Sequence, residues 1–256
     1  MNILRTLAAN HPVIFSLGLA FTCFVLPLFV TGIIYSKLSQ RYGEVAVTLM
    51  RLAVTAGLLW LIWRLDGLEA SGVTRLGRWE GWLLAVIGVL YFTCAGLYAF
   101  YGKVAFDVSN LIRPPAARTI ALTQIVFVLH EEILFRGVVL YVLFRAWGHT
   151  VPGMIGSVVL TAVLFAIPHI VSIFVGTSLS ATLLLIAEGC IIAVWWGALV
   201  LWGGSLWPAV LLHYVVNVVV AVQGLTVPMV TPDTLAYRRL LWFSIPLGVL
   251  GIGLLV

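Results

Sequence analysis

Long apolar runs separated by short polar breaks dominate the chain. A helix needs about 20 apolar residues to cross the hydrocarbon core of a bilayer. By that measure eight segments qualify: 12–35, 45–65, 80–102, 119–147, 152–175, 179–202, 206–224 and 238–256. The runs are continuous rather than alternating, which predicts helices and sets aside the closed barrel, the other structure able to span lipid. The longest polar break, RLDGLEASGVTRLGRWE from Arg64 to Glu80, is placed at the membrane interface. A second break, from Phe106 to Thr119, carries Pro114-Pro115 and interrupts any helix there. Tyr35, Trp79, Trp82, Trp202, Trp207 and Tyr237 fall near predicted ends, where an aromatic belt belongs. The first run exceeds a signal-peptide core of roughly 7–15 residues, so it reads as an uncleaved first span. With no internal repeat in view, the expectation is an all-α, polytopic membrane helical bundle. It forms a single integral membrane domain over 1–256, with a motif core at about 119–220.

Composition agrees with that picture and adds little to it. Apolar residues make up 62% and charged residues 9%, with a mean hydropathy of +1.15. A water-soluble domain averages about 25% charged, so lipid is the solvent and the protein is multi-pass. The net charge of +5 comes largely from residues at predicted helix ends: Lys37, Arg41, Arg64, Arg75, Arg78, Lys103, Arg113, Arg118, Arg145, Arg238 and Arg239. Such residues anchor to headgroups, which argues against nucleic acid as a partner. They divide too evenly between the two sides to fix orientation. Cys23, Cys94 and Cys190 lie in apolar segments without pairing logic and read as small core residues.

The informative residues are the ionisable ones at bilayer depth, each costing roughly 2.5–3.5 kcal/mol to insert. Within the predicted spans these are Arg51, Glu131, Glu132, Arg136, His169, Glu188 and His213, with His130 beside the glutamates. Glu132 and Arg136 are four apart and share a helix face, so they can pair. Glu131 is turned about 100° away and keeps free lone pairs for a neighbouring helix or a watery pocket, a candidate general base. The alternative is a double salt bridge, with Glu131 paired to a basic group elsewhere. In LTAVLFAIPHIVS, Phe165 and His169 share a face, and Pro168 should bend the helix beside the histidine. In SLWPAVLLHYVVN, Ser205 is a candidate N-cap and Pro208 fits the first turn. His213 and Asn217, four apart, suit either an oxyanion hole or an interhelical hydrogen-bond clamp. Arg51 and Glu188 carry no assigned role.

These three stretches resemble the CPBP family of CAAX proteases and bacteriocin-processing enzymes (Abi proteins), which includes Rce1-type prenyl-protein endopeptidases. EExxxR matches Glu131 to Arg136, FxxxH matches Phe165 to His169, and HxxxN matches His213 to Asn217. The resemblance implies eight helices around an intramembrane active site. It also implies that Glu131, with His169, activates water, while His213 and Asn217 stabilise the oxyanion. Glu132 and Arg136 then hold the motif helix, and Phe165 packs against the site. The expected partner is a membrane-associated protein or peptide, lipidated substrates included, cut near its C-terminus or leader. No cofactor is required.

Rival readings differ in mechanism or class. Glu131, His169 and His213 would make a His2Glu zinc set with one open position, and the sequence leaves zinc open because HEEIL is not HExxH. A serine protease lacks support: Gly203-Gly204-Ser205-Leu206-Trp207 misses the last glycine of GxSxG. A proton-coupled transporter should show inverted repeats, and none is evident. A non-catalytic immunity or scaffold member of the same family would use the fold without the chemistry.

Overall fold

The computed structural model describes residues 3–103, 115–225, 229, 231 and 233–256. Arg113, and with it the predicted proline break up to Pro114, lies outside the described residues. Nine helices follow one another among the described residues: α1 (Ile3–Asn10), α2 (Pro12–Lys37), α3 (Gln40–Arg64), α4 (Trp79–Tyr101), α5 (115–147), α6 (Val151–Ala166), α7 (Leu179–Gly203), α8 (Trp207–Gln223) and α9 (Asp233–Gly253). Among the same residues there is no strand, and the expected all-α membrane bundle is borne out.

All eight predicted segments are helical, but they are not alike. Six helices are long and apolar enough to cross a membrane: α2, α3, α4, α6 with its extension to Phe174, α7 and α9. The other two carry the first and third motifs. The helix α8 has only 17 residues, and α5 is interrupted by a π-helical stretch at Ile133–Val139. Every residue of α5 from His130 to Leu143 is buried, and a helix buried all round belongs at the centre of a bundle. It packs against α3 and α8 with its first half, and against α2 and α6 further on. The centre can hold charges because protein, not lipid, surrounds them.

Proline and small caps explain the local breaks. Thr150 Oγ1 accepts from Gly153 N at 3.1 Å to start α6, and Ser178 Oγ accepts from Ala181 N at 3.2 Å to start α7. At Pro168 the expected bend takes a definite form: the α-helix ends at Ala166 and the chain continues as a 3₁₀ helix over Ile167–Val175. The N-cap of α8 is Leu206 rather than Ser205, although Ser205 Oγ does accept from Trp207 N at 3.2 Å. Cys94 is exposed, not a core residue. The helix α9 begins at Asp233, so Arg238 and Arg239 lie within its opening turns instead of ahead of them.

The polar break between α3 and α4 is a packed strap. Arg78 N donates to Gly203 O at 2.8 Å, Leu206 N to Gly72 O at 3.2 Å, Ser205 Oγ to Arg75 O at 2.7 Å and Trp207 Nε1 to Val73 O at 2.9 Å. These bonds fix the start of α8, and therefore the height of His213. At Gly72, φ is +75°, and a Cβ there would lie 2.8 Å from Ser205 Cα, so only glycine suits the position.

Candidate active site

The site grows from Glu132. Its Oε1 accepts from Arg136 Nη1 at 2.9 Å, the pairing expected from their spacing, and both side chains are wholly buried. The Arg136 guanidinium carbon also lies 4.3 Å from the centroid of the Phe165 ring and 5.1 Å from that of Trp196. The planar cation is thus held by a carboxylate and the faces of two aromatic rings.

The same Glu132 Oε1 takes a second bond, from His213 Nδ1 on α8, at 2.8 Å. A carboxylate in an ion pair can only accept, so Nδ1 carries the proton and Nε2 is left to face elsewhere. Nε2 points at Glu131 Oε2 from 3.7 Å, too far for a direct hydrogen bond and close enough for one group to sense the charge of the other. Trp196 stacks on the His213 ring at 4.5 Å, with 32° between planes. One imidazole therefore joins the two glutamates, with Glu132 anchoring one nitrogen and Glu131 facing the other.

A cavity of about 270 Å³ opens in front of this pair. Glu131, Phe165, His169, His213 and Asn217 all line it. His169 Nδ1 donates to Ala166 O at 3.1 Å, a bond made available where the α-helix gives way to the 3₁₀ turn, so its Nε2 is the free nitrogen. Asn217 Nδ2 donates to Gln124 Oε1 at 3.5 Å, a long and easily replaced contact. The structure thus brings Glu131 and His213 directly together and puts His169 and Asn217 on the same wall. It takes His130 to the other side of α5, where its Nδ1 contacts Thr55 Oγ1 at 3.4 Å and its ring faces Phe24.

Trp196, Glu188 and Tyr237 also line the cavity. Trp196 and Tyr237 had no signal at the sequence level that pointed inward. Glu188 accepts from Ser244 Oγ at 3.1 Å, tying α7 to α9. Among the described residues no group of three or more His, Cys, Asp or Glu side chains is gathered as a metal set. The rival zinc ligands Glu131, His169 and His213 share a cavity but not a coordination geometry.

Residues 114–219 match a family model described as type II CAAX prenyl endopeptidase Rce1-like. The motif core is Rce1-like. The match spans α5 through most of α8, so it contains every residue of the three motifs. Neither a curated protein nor a solved structure matches the chain. The family so described is one of CAAX prenyl endopeptidases, and the chain is similar to it over residues 114–219. With six helices able to span lipid, the protein is an integral, multi-pass membrane protein.

Proposed function

We propose that this Rce1-like protein hydrolyses a peptide bond near the C-terminus of a lipid-anchored protein, using a water activated by Glu131. The observation that carries the reading is the His213 bridge, which separates the two adjacent carboxylates into an anchored one and one that faces a cavity. Water held between Glu131 and His169 Nε2 loses a proton to Glu131 as its oxygen attacks the scissile carbonyl carbon. The carbonyl π electrons move onto oxygen. Asn217 Nδ2 donates to that oxyanion, and His213 Nε2 joins it when the ring carries both protons. As the C–N bond breaks, Glu131 returns the proton to the leaving amine. Glu132 and Arg136 touch no reacting atom and hold His213 in register.

The helices around the cavity support a lipid-anchored substrate. Phe92, Gly96 and Phe100 of α4 and Tyr237 and Leu240 of α9 also line it. The same two helices carry a lipid-facing apolar groove at Tyr91, Cys94, Tyr98 and Phe243. A chain lying in that groove sits beside the seam between the helices.

The test is cleavage of a farnesylated peptide by purified protein in lipid nanodiscs. Glu131→Gln keeps the shape of the side chain and removes the base, so turnover should fall about 10²–10⁴-fold. Turnover retained in that variant would sink the mechanism. Activity should survive chelation; stoichiometric zinc lost together with activity would replace the glutamate–water scheme with a metal one.

A further inference from the structure

Two ionisable residues at bilayer depth, Arg51 and Glu188, take no part in the chemistry above. Arg51 lines a separate pocket of about 370 Å³ between α3 and α5, and its principal charge partner is Glu131. Glu188 lines the catalytic cavity itself. It is 9% exposed, and among the described residues no Arg, Lys or His nitrogen lies within 4.0 Å of its carboxyl group. Arg239, the basic residue of α9 closest in sequence to Ser244, is turned to the Tyr98 ring and to Thr231 Oγ1. The donor that Glu188 does have is Ser244 Oγ, at 3.1 Å, and that hydroxyl also reaches Leu240 O at 2.9 Å. A hydroxyl has a single proton to give, and the shorter bond goes to the backbone. An ionised carboxyl buried with only a shared partner is costly until a cation completes it.

The surrounding walls suit a cation. Phe100 of α4 and Tyr237 of α9 line the same cavity and meet edge to face, with ring centroids 5.6 Å apart. Tyr237 lies within electrostatic reach of Glu188. Aromatic faces beside a carboxylate receive an ammonium or guanidinium group, while apolar walls take its aliphatic stem. The distance to the chemistry follows from the helix. Leu185, Glu188, Ile192 and Trp196 all line the cavity, one stripe along α7, and Trp196 stacks on His213. Glu188 stands eight positions before Trp196, about 12 Å along the axis. An extended peptide covers that length in three to four residues.

We infer that Glu188 is the carboxylate of a subsite for a basic side chain of the substrate, carried within about four residues of the scissile bond. The inference rests on the endopeptidase reading and adds the feature of the substrate that is selected. It makes Glu188 a specificity-determining residue that touches substrate away from the reacting atoms.

Binding tests it independently of cleavage. Fluorescent farnesylated octapeptides, with one lysine moved through successive positions, are titrated into the Glu131→Gln protein in nanodiscs. At one or two adjacent positions lysine should bind about tenfold more tightly than norleucine, as for one hydrogen-bonded contact between charged groups. In Glu188→Gln/Glu131→Gln that preference should vanish, and Glu188→Asp/Glu131→Gln should recover part of it. Ser244→Ala/Glu131→Gln, which removes the shared donor and leaves the carboxylate, should keep it. Equal binding of lysine and norleucine peptides at every position, including no binding of either, overturns the subsite and leaves Glu188 as an interhelical clasp. So does a lysine preference that survives Glu188→Gln, or a glutamine peptide that binds as tightly as the lysine one. If the lysine preference holds and the wild-type protein cleaves no peptide, the endopeptidase reading fails and the subsite stands. Cleavage without a lysine preference keeps the endopeptidase and removes the subsite.

Discussion

Two arginines buried on neighbouring helices, Arg136 and Arg51, face opposite fates. Both stack on a phenylalanine, Arg136 at 4.3 Å from Phe165 and Arg51 at 3.8 Å from Phe127. Arg136 adds the Glu132 ion pair at 2.9 Å and a second ring, and it lines neither the catalytic cavity nor the Arg51 pocket. Arg51 has no ion pair among the described residues within 4 Å and opens onto a polar pocket. Burial alone does not tell which charge is locked in place; a carboxylate within bonding reach does.

Stability measurements would break this comparison most directly. Arg136→Met strands a fully buried Glu132, and unfolding in detergent should show a loss of about 3–5 kcal/mol. Adding Glu132→Gln should recover part of it, because no uncompensated charge is left. Phe165→Leu keeps the ion pair but removes one aromatic face of the cation, at about 1–2 kcal/mol in the same assay. The smallest effect belongs to Arg51→Met. Replacing a buried charge that has no carboxylate within 4 Å among the described residues with an apolar side chain should shift stability by no more than about 1 kcal/mol, with either sign allowed. A drop as large as that of Arg136→Met would erase the distinction and make Arg51 a structural residue.

The sequence made some of this legible because the chemistry repeats at helical spacing. Glu132 with Arg136, Phe165 with His169, and His213 with Asn217 are each four apart on an apolar segment, so their shared faces follow from the period alone. The joining of Glu131 and Glu132 through His213 did not follow. It depends on α8 running antiparallel to α5 at a height set by the 65–78 strap. That strap reads as interfacial because its side chains are polar, while most of its anchors are backbone carbonyls and amides. Trp196 was hidden for another reason: in IAEGCIIAVWWGALV nothing marks one tryptophan as facing a histidine and its neighbour as packing elsewhere. Arg51 stood out as a charge at bilayer depth, but its pocket is assembled from three helices that only tertiary packing brings together.

The π-helical stretch at Ile133–Val139 divides α5 into two lengths with separate phase. The first carries Glu131 and Glu132. The second turns Tyr141 and Arg145 toward Leu65 O, bonded at 3.1 and 3.2 Å. Within one unbroken α-helix each added residue turns everything beyond it by about 100°, so the two tasks could not be adjusted apart. The wider turn acts as a slip joint: mutation can re-aim the catalytic length while the far end stays moored, and removing one residue from the joint would unmoor it by a full side-chain position.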